Sequence, residues 1–217
     1  IRVDSGVEPG SEVSVYYDPM LAKVIAYGAN RHEATRRLSS CLTSASFLGV
    51  TTNRRFLCRV LESAPWEAGK LHTHFIEEHA SLLLDAVPGH RRVQAALAAT
   101  MHYVLEQDRE RRLLPGLAYA WRNNAFRDER YGWHFEGDDD SLHVFIGSVS
   151  RDTWRCTLSD EVYEVQVLHA SEGGLRLAIE GHARPYRIAQ AGDALWVHDG
   201  EYDFLLHSES MFPAEAE

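Results

Sequence analysis

Apolar positions along this chain change their period once, near Pro115. Before it they recur at helical spacing between short stretches of strand; after it they alternate with a period of two. Val13–Tyr17 and Ala22–Tyr27, rich in Val, Ile and Tyr, read as strands separated by a tight turn at Asp18-Pro19. Asn30 reads as the N-cap of a helix over Arg31–Ser46, with Glu33 placed as in a capping box and Leu38, Leu42 and Ala45 as the buried stripe. Gly49 stops it. Thr52 or Asn53 opens a second helix through about Glu62, with Phe56, Leu57, Val60 and Leu61 at helical spacing. Pro65–Gly69 reads as a loop, and Thr73 opens a helix over His74–Leu84.

The predicted helix 91–112 is unusual. From Val93 to Leu105, ten of thirteen residues are apolar, so no one-sided stripe exists. A helix apolar on nearly every face is surrounded by protein or lipid, and this one is too short for lipid. Its charged tail, Glu106–Arg112, belongs in water. Alternating strands follow: Tyr131–Glu136, Leu142–Ile146, Val162–His169, Leu175–Ile179, Tyr186–Ala189, Leu195–His198 and Tyr202–Leu206. Gly137 with Asp138–Asp140, Ser159-Asp160, Gly173-Gly174, Gly181, Gly192-Asp193 and Asp199-Gly200 punctuate them as turns. An antiparallel barrel curled around the apolar helix satisfies both patterns and leaves no sheet edge exposed. The fold class expected is α+β, a mixed α/β part followed by an antiparallel β-barrel around a long central α-helix. The expected boundaries are 1–85, then 86–210 with the barrel over 118–208, and 211–217 as the start of a linker.

Composition narrows the possibilities. The chain has 217 residues, 45% of them hydrophobic, enough for a real core. Its net charge of −10 disfavours duplex nucleic acid as a partner. The charge is uneven: residues 1–112 hold 14 basic and 13 acidic side chains, and residues 113–217 hold 8 and 19, which suggests two units. Neither a membrane-length apolar run nor a signal-peptide pattern is present. Cys41, Cys58 and Cys156 are distant and odd in number, against a disulfide framework. The chain opens at Ile1 within an apparent strand, as a piece of a longer protein would.

Residue chemistry alone assembles no catalytic constellation. His72, His74 and His79 have poor spacing for a metal, and a solvated helix start explains them. Asp138–Asp140 lacks the alternating ligands and closing Glu of a calcium loop and reads as a solvated hairpin tip. Gly173-Gly174 reads as a hairpin turn, because no helix follows to make a phosphate loop. Trp133, Trp154 and Trp196 fall in strands and suit core packing. Neither a nucleophile elbow nor a Walker A loop is present.

Other residues carry a resemblance. Arg2-Val3-Asp4-Ser5, Tyr16-Tyr17-Asp18-Pro19-Met20-Leu21-Ala22-Lys23-Val24-Ile25-Ala26-Tyr27-Gly28, Asn30-Arg31, Gly49-Val50-Thr51-Thr52-Asn53 with Phe56-Leu57, and Thr73-His74-Phe75-Ile76-Glu77 occur in this order. They closely resemble the C-terminal subdomain of biotin carboxylase over about residues 1–80. The charged run, apolar helix and β-rich half resemble the linking (BT) domain of biotin-dependent acyl-CoA carboxylase α subunits, and Trp121-Arg122-Asn123-Asn124 is similar to a motif near its first strand. In that family the linking domain is a barrel around a central helix and joins biotin carboxylase to carboxyltransferase.

The resemblance implies MgATP- and bicarbonate-dependent carboxylation of biotin held on a carrier domain, then transfer to an acyl-CoA on a carboxyltransferase β subunit. Much of that machinery is expected upstream of Ile1, and the biotinylated Ala-Met-Lys-Met site downstream of Glu217. The fragment is therefore expected to bind no cofactor and to be inactive alone, its partners being the β subunit, the biotin carrier domain and the rest of biotin carboxylase. Biotin, ATP and Mg belong to the full-length enzyme. Asp18 matches a family aspartate near the biotin site, and a turn aspartate bonding its own backbone is the alternative. Arg2 matches a dimer-interface arginine, with surface ion pairing as the alternative. Lys23 matches the motif but is assigned a structural role, and His32 departs from it on an exposed helix. Leu113, Leu114, Pro115, Gly116, Leu117 and Tyr119, around Ala118, match a hook that contacts the carboxyltransferase subunit, with burial against the barrel rim as the alternative.

The expected substrate is 3-methylcrotonyl-CoA or a relative such as geranyl-CoA, ahead of propionyl- or acetyl-CoA. The expected setting is the bacterial cytoplasm, or the mitochondrial matrix in a eukaryote. Two other readings stand beside this one: a stand-alone small-ligand barrel, and a piece of pyruvate or urea carboxylase. The acidity of the barrel half suits either partner selection or solubility.

Overall fold

The computed structural model describes residues 1–16, 18–84, 86–110, 128–150 and 152–209. The chain divides into two compact units, Ile1–Ala86 and Val87–Glu217.

In the first unit, β1 (Arg2–Ser5) pairs antiparallel with β2 (Ala22–Ile25), in the register Arg2↔Ile25 through Ser5↔Ala22. The strand expected over Val13–Tyr17 is absent from its described residues. Val15 and Tyr16 are 89% and 96% exposed, so their β propensity finds no sheet to join. Helix α1 (Arg31–Ser44) starts as its sequence requires: Asn30 Oδ1 accepts the Glu33 N–H at 2.9 Å, and Glu33 Oε2 accepts the Ala29 N–H at 2.7 Å. Gly28 is required by space, since a Cβ there would lie 2.5 Å from the Ala34 backbone nitrogen. Helix α2 (Arg54–Glu62) packs on α1 through Leu42, Cys58 and Leu61.

The expected loop at Pro65–Gly69 is instead a turn of helix, α3 (Ala64–Glu67). Ser63 caps it through the Trp66 N–H, and Pro65 sits in the first turn, where its missing N–H costs nothing. The single helix expected over His74–Leu84 is two four-residue helices, α4 (Phe75–Glu78) and α5 (Ala80–Leu83), broken at His79.

The second unit is a closed barrel around one helix, α6 (Gly89–Glu110). Its strands are β3 (Glu129–Phe135), β4 (Ser141–Ser148), β5 (Thr153–Leu158), β6 (Glu161–Ser171), β7 (Gly174–Ile179), β8 (His182–Ala191), β9 (Ala194–His198) and β10 (Asp203–Ser208). Each pairs antiparallel with its sequence neighbour, and β10 closes on β3 through Leu206↔Phe135 and Ser208↔Trp133. The barrel around a central helix is therefore as the sequence pattern predicts. β5 holds Trp154, expected in a strand, but is absent from the alternating runs, because Arg155 and Thr157 separate only three apolar residues, Trp154, Cys156 and Leu158. A bulge between Val167 and His169 leaves Leu168 45% exposed.

Candidate functional site

The interior of the barrel is occupied by its own helix. Ala95, Ala96, Leu97, Ala98, Ala99, Met101 and Val104 are all 0% exposed. The alanines bring strands close to the helix backbone. The larger side chains meet Trp133, Ile146, Leu177, Tyr186 and Val197, which the barrel strands contribute to the same core. Burying each large side chain is worth about 1.5–3 kcal/mol. Thr100 sets polar contacts within this core. Thr100 Oγ1 donates to Ala96 O at 2.8 Å and accepts the indole N–H of Trp133 at 2.8 Å. Tyr103 meets the Trp133 ring edge-on at 6.4 Å.

The start of α6 carries Arg91 and Arg92, cations placed where the helix dipole disfavours them. Acids from two hairpin turns offset that cost. Arg91 Nη1 lies 3.0 Å from Asp199 Oδ2, and Nη2 lies 2.6 Å from Glu201 Oε2. The Asp199 side chain is fully buried, and its Oδ1 accepts the N–H groups of Glu201 and Tyr202 at 2.9 and 2.7 Å. The guanidinium of Arg91 also stands 5.6 Å from the Tyr202 ring centroid. Arg92 pairs with Asp138 and lies 4.9 Å from the centroid of Phe135. Asp138 is thus no free solvated tip, as its sequence neighbourhood suggested, but one of the groups that hold the helix in the barrel. On the adjacent strands His198 Nδ1 lies 2.8 Å from Asp203 Oδ1.

Not every buried polar atom is satisfied. Among the described residues, Gln94 Oε1, Trp154 Nε1 and Tyr186 OH find no hydrogen-bond partner. Burial, with the charge of Asp199, pushes the Tyr186 hydroxyl pKa upward against the opposing pull of Arg91.

In the first unit, Asp18 Oδ1 accepts the Met20 N–H at 2.7 Å, the turn arrangement its sequence allows as an alternative to a biotin contact. Asp18 also lines a cleft of about 750 Å³ with Pro19, Met20, Thr52, Asn53, Arg54 and Trp66, among others. Arg2 is exposed and pairs with Asp4 at 2.8 Å. Lys23 is exposed on β2, and His32 lies 3.6 Å from Glu67.

The three histidines do not converge. His72 lies 3.4 Å from Glu78, His74 lies 3.1 Å from Glu77, and His79 stacks edge-on against Phe75. Among the described residues no group of three or more His, Cys, Asp or Glu side chains gathers to hold a metal ion. The hook residues Leu113, Leu114, Pro115, Gly116, Leu117 and Tyr119, and the motif Trp121–Asn124, lie outside the described residues.

Arg54 escaped the sequence reading. It is 2% exposed, and its Nη1 donates to Leu42 O at 2.9 Å and Thr43 O at 3.3 Å, satisfying the last carbonyls of α1. Its position at the start of α2 gives no hint of that reach. The pairing of Arg91 with Asp199 was likewise hidden, although two arginines opening an otherwise apolar helix are a signal that acids must meet them.

Two family models match the chain. One, described as biotin carboxylase C-terminal domain, matches residues 1–78. The other, described as methylcrotonyl-CoA carboxylase, alpha-subunit, BT domain, matches residues 90–210. The mitochondrial methylcrotonoyl-CoA carboxylase subunit alpha of Arabidopsis thaliana is 39% identical over 102 residues, covering 47% of this chain and 14% of that protein. The mitochondrial propionyl-CoA carboxylase alpha chain of Sus scrofa is 37% identical over 180 residues, covering 83% of this chain and 22% of that protein. The Mus musculus methylcrotonoyl-CoA carboxylase subunit alpha is 34% identical over 108 residues, covering 49% of this chain and 15% of that protein. The matches therefore span less than a quarter of these relatives.

Proposed function

The chain belongs to the family of the methylcrotonyl-CoA carboxylase α-subunit BT domain, within the biotin-dependent acyl-CoA carboxylase α subunits, and from that premise we propose that it scaffolds subunit assembly rather than catalysing a step itself. The observation that carries this reading is the filled barrel. A barrel whose interior is taken by Leu97, Met101 and Val104 at 0% exposure leaves its outer face and its loops as the surfaces for partners. The same packing argues against a stand-alone small-ligand barrel.

The partners we propose are a carboxyltransferase β subunit, a biotin carrier domain and the rest of biotin carboxylase. For the last of these, exposed apolar residues in the first unit, including Val15, Tyr16, Met20 and Tyr27, offer surface that further protein would cover. The acyl-CoA we propose is 3-methylcrotonyl-CoA or a close relative, in the bacterial cytoplasm or, in a eukaryote, the mitochondrial matrix. No helix among the described residues is long and apolar enough to cross a membrane.

Biotin, ATP and Mg are proposed for the whole enzyme. Among the described residues no group of three or more His, Cys, Asp or Glu side chains gathers to hold a metal ion, and one oxygen of the Asp18 carboxylate takes the Met20 amide. The isolated fragment is expected to show no ATP-dependent biotin carboxylation.

The hook proposal, on Leu113, Leu114, Pro115, Gly116, Leu117 and Tyr119, rests on sequence. Leu114→Asp and Tyr119→Ala in the full α subunit should weaken co-purification with the cognate β subunit while leaving the α subunit folded by circular dichroism. Unchanged assembly would remove the hook from the proposal.

A further inference from the structure

Three large apolar side chains on the described barrel strands are exposed: Phe145, Val162 and Leu168. The bulge in β6 accounts for Leu168. The other two stand in one row. Phe145 of β4 pairs with Thr157 of β5, and Thr157 pairs with Val162 of β6. Along their strands they alternate with residues of the core: Val144 and Ile146 flank Phe145, Cys156 and Leu158 flank Thr157, and Tyr163 follows Val162. The row therefore lies on the outer face of the barrel, where alternation places polar residues on an ordinary solvated sheet. Phe145 is 36% exposed there and Val162 59%.

Acids border this row. Asp160 and Glu161 stand at the β5–β6 turn, and Glu164 lies two residues beyond Val162 on the same face. Glu180, at the β7–β8 turn, accepts the Glu164 N–H with its carboxylate. All four are exposed, and among the described residues no cation stands at ion-pair distance from any of them. Arg155, opposite Glu164 in the register, reaches instead toward Asp128, 3.8 Å away. The hydrogen bond to Glu161, then desolvation and the charges of Glu161 and Glu180, raise the Tyr163 hydroxyl to about 12, so both carboxylates bear on one point of the rim. Asp160 and Glu180 also have φ of 67° and 50°. Gly or Asn is the low-energy choice at such hairpin positions, yet the chain places carboxylates at both.

We propose that the outer face of β4, β5 and β6, with Phe145 and Val162 at its centre and Asp160, Glu161, Glu164 and Glu180 at its border, docks a surface of the carboxyltransferase β subunit that presents Lys and Arg around an apolar contact. That the partner is the β subunit rests on the scaffold reading above; the basic chemistry of its contact surface follows from the acids on the page. The apolar row supplies a centre that excludes water, and the unpaired carboxylates attract and orient an opposite charge. A second copy of this chain fits worse, because a two-fold contact through this face would set the acids against themselves.

The test follows binding of the full α subunit to its cognate β subunit by surface plasmon resonance at low and high ionic strength. Phe145→Thr with Val162→Thr removes the apolar centre while keeping residues that suit a strand, and should speed dissociation by roughly tenfold. Asp160→Asn with Glu164→Gln removes two charges without disturbing the turn, and should slow association at low salt and flatten its salt dependence. Kinetics unchanged from the wild type in both pairs would overturn the docking face and leave the scaffold reading in place. A wild-type α subunit that takes up no β subunit would remove the scaffold reading itself. Unchanged β binding beside slower carboxylation of the biotin carrier, or beside weakened self-association of the α subunit, would give the face to another occupant and overturn the proposal.

Discussion

Thr100 and Trp133 are joined across the barrel interior, the threonine Oγ1 accepting the indole N–H at 2.8 Å while both residues are buried. The bond ties one turn of α6 to one register position of β3. A Thr100→Val substitution keeps the shape and removes the acceptor. It should cost about 1–3 kcal/mol, because the indole N–H then lies buried without a partner. Thr100→Ser should recover most of that loss. Urea unfolding of both variants, followed by tryptophan fluorescence, measures the difference, and equal stabilities would show that the bond contributes nothing.

The Arg91 cluster makes a second prediction. Asp199 is wholly buried and Arg91 nearly so, and removing Arg91 leaves Asp199 desolvated with Arg184 Nη1 no nearer than 4.0 Å to its carboxylate. Arg91→Met should destabilise the barrel unit by about 3–5 kcal/mol. Arg91→Met combined with Asp199→Asn should cost clearly less than the sum of the two single changes. An additive double-mutant cycle would contradict a direct coupling.

Tyr186 gives the opposite sign. Its hydroxyl is buried and finds no hydrogen-bond partner among the described residues, so it contributes a desolvation cost without a bond to offset it. Tyr186→Phe deletes only that oxygen and should be neutral or stabilising by up to about 1 kcal/mol. A thermal midpoint lowered by several degrees would show that the hydroxyl is satisfied in solution, for instance by an internal water.

These three sites also show where sequence reading stops. The apolar run from Val93 to Leu105 exposes its burial directly, because no amphipathic face is left for solvent, and alternation predicts most of the strands around it. The capping of α1 by Asn30 was equally legible, since the partners are three residues apart. Arg91 and Asp199 are separated by 108 positions, and Thr100 and Trp133 by 33; local pattern cannot pair them. β-Propensity misled at Val13–Tyr16 because a strand needs a neighbour, and the neighbour of β2 is Arg2–Ser5. The resemblance to biotin carboxylase supplied a functional frame that composition could not. It implies partners outside this chain for Asp18 and Arg2, whose contacts within the chain are respectively a bond to its own turn and an ion pair in the same strand.

Cys156 links burial to alkaline stability. It is 0% exposed, and burial, followed by the charge of Asp128, pushes its thiol pKa from 9.0 up to about 12. The unfolded chain therefore loses this proton at a lower pH than the folded one. The contribution is fully present below pH 9 and is lost as pH rises from there toward 12, because the unfolded state gains thiolate first. Tyr163, raised to about 12 chiefly by its hydrogen bond to Glu161, changes in the same direction, so the comparison must be differential. Urea midpoints for wild type and Cys156→Ala at pH 8 and pH 10.5 should converge, the wild type losing more of its advantage at the higher pH. In the folded protein, half-exposed Cys41 should react with a thiol reagent before Cys58 and Cys156. Rapid labelling of Cys156 at pH 8, or midpoints that fall in parallel, would show that the thiol does not sit in the dry interior.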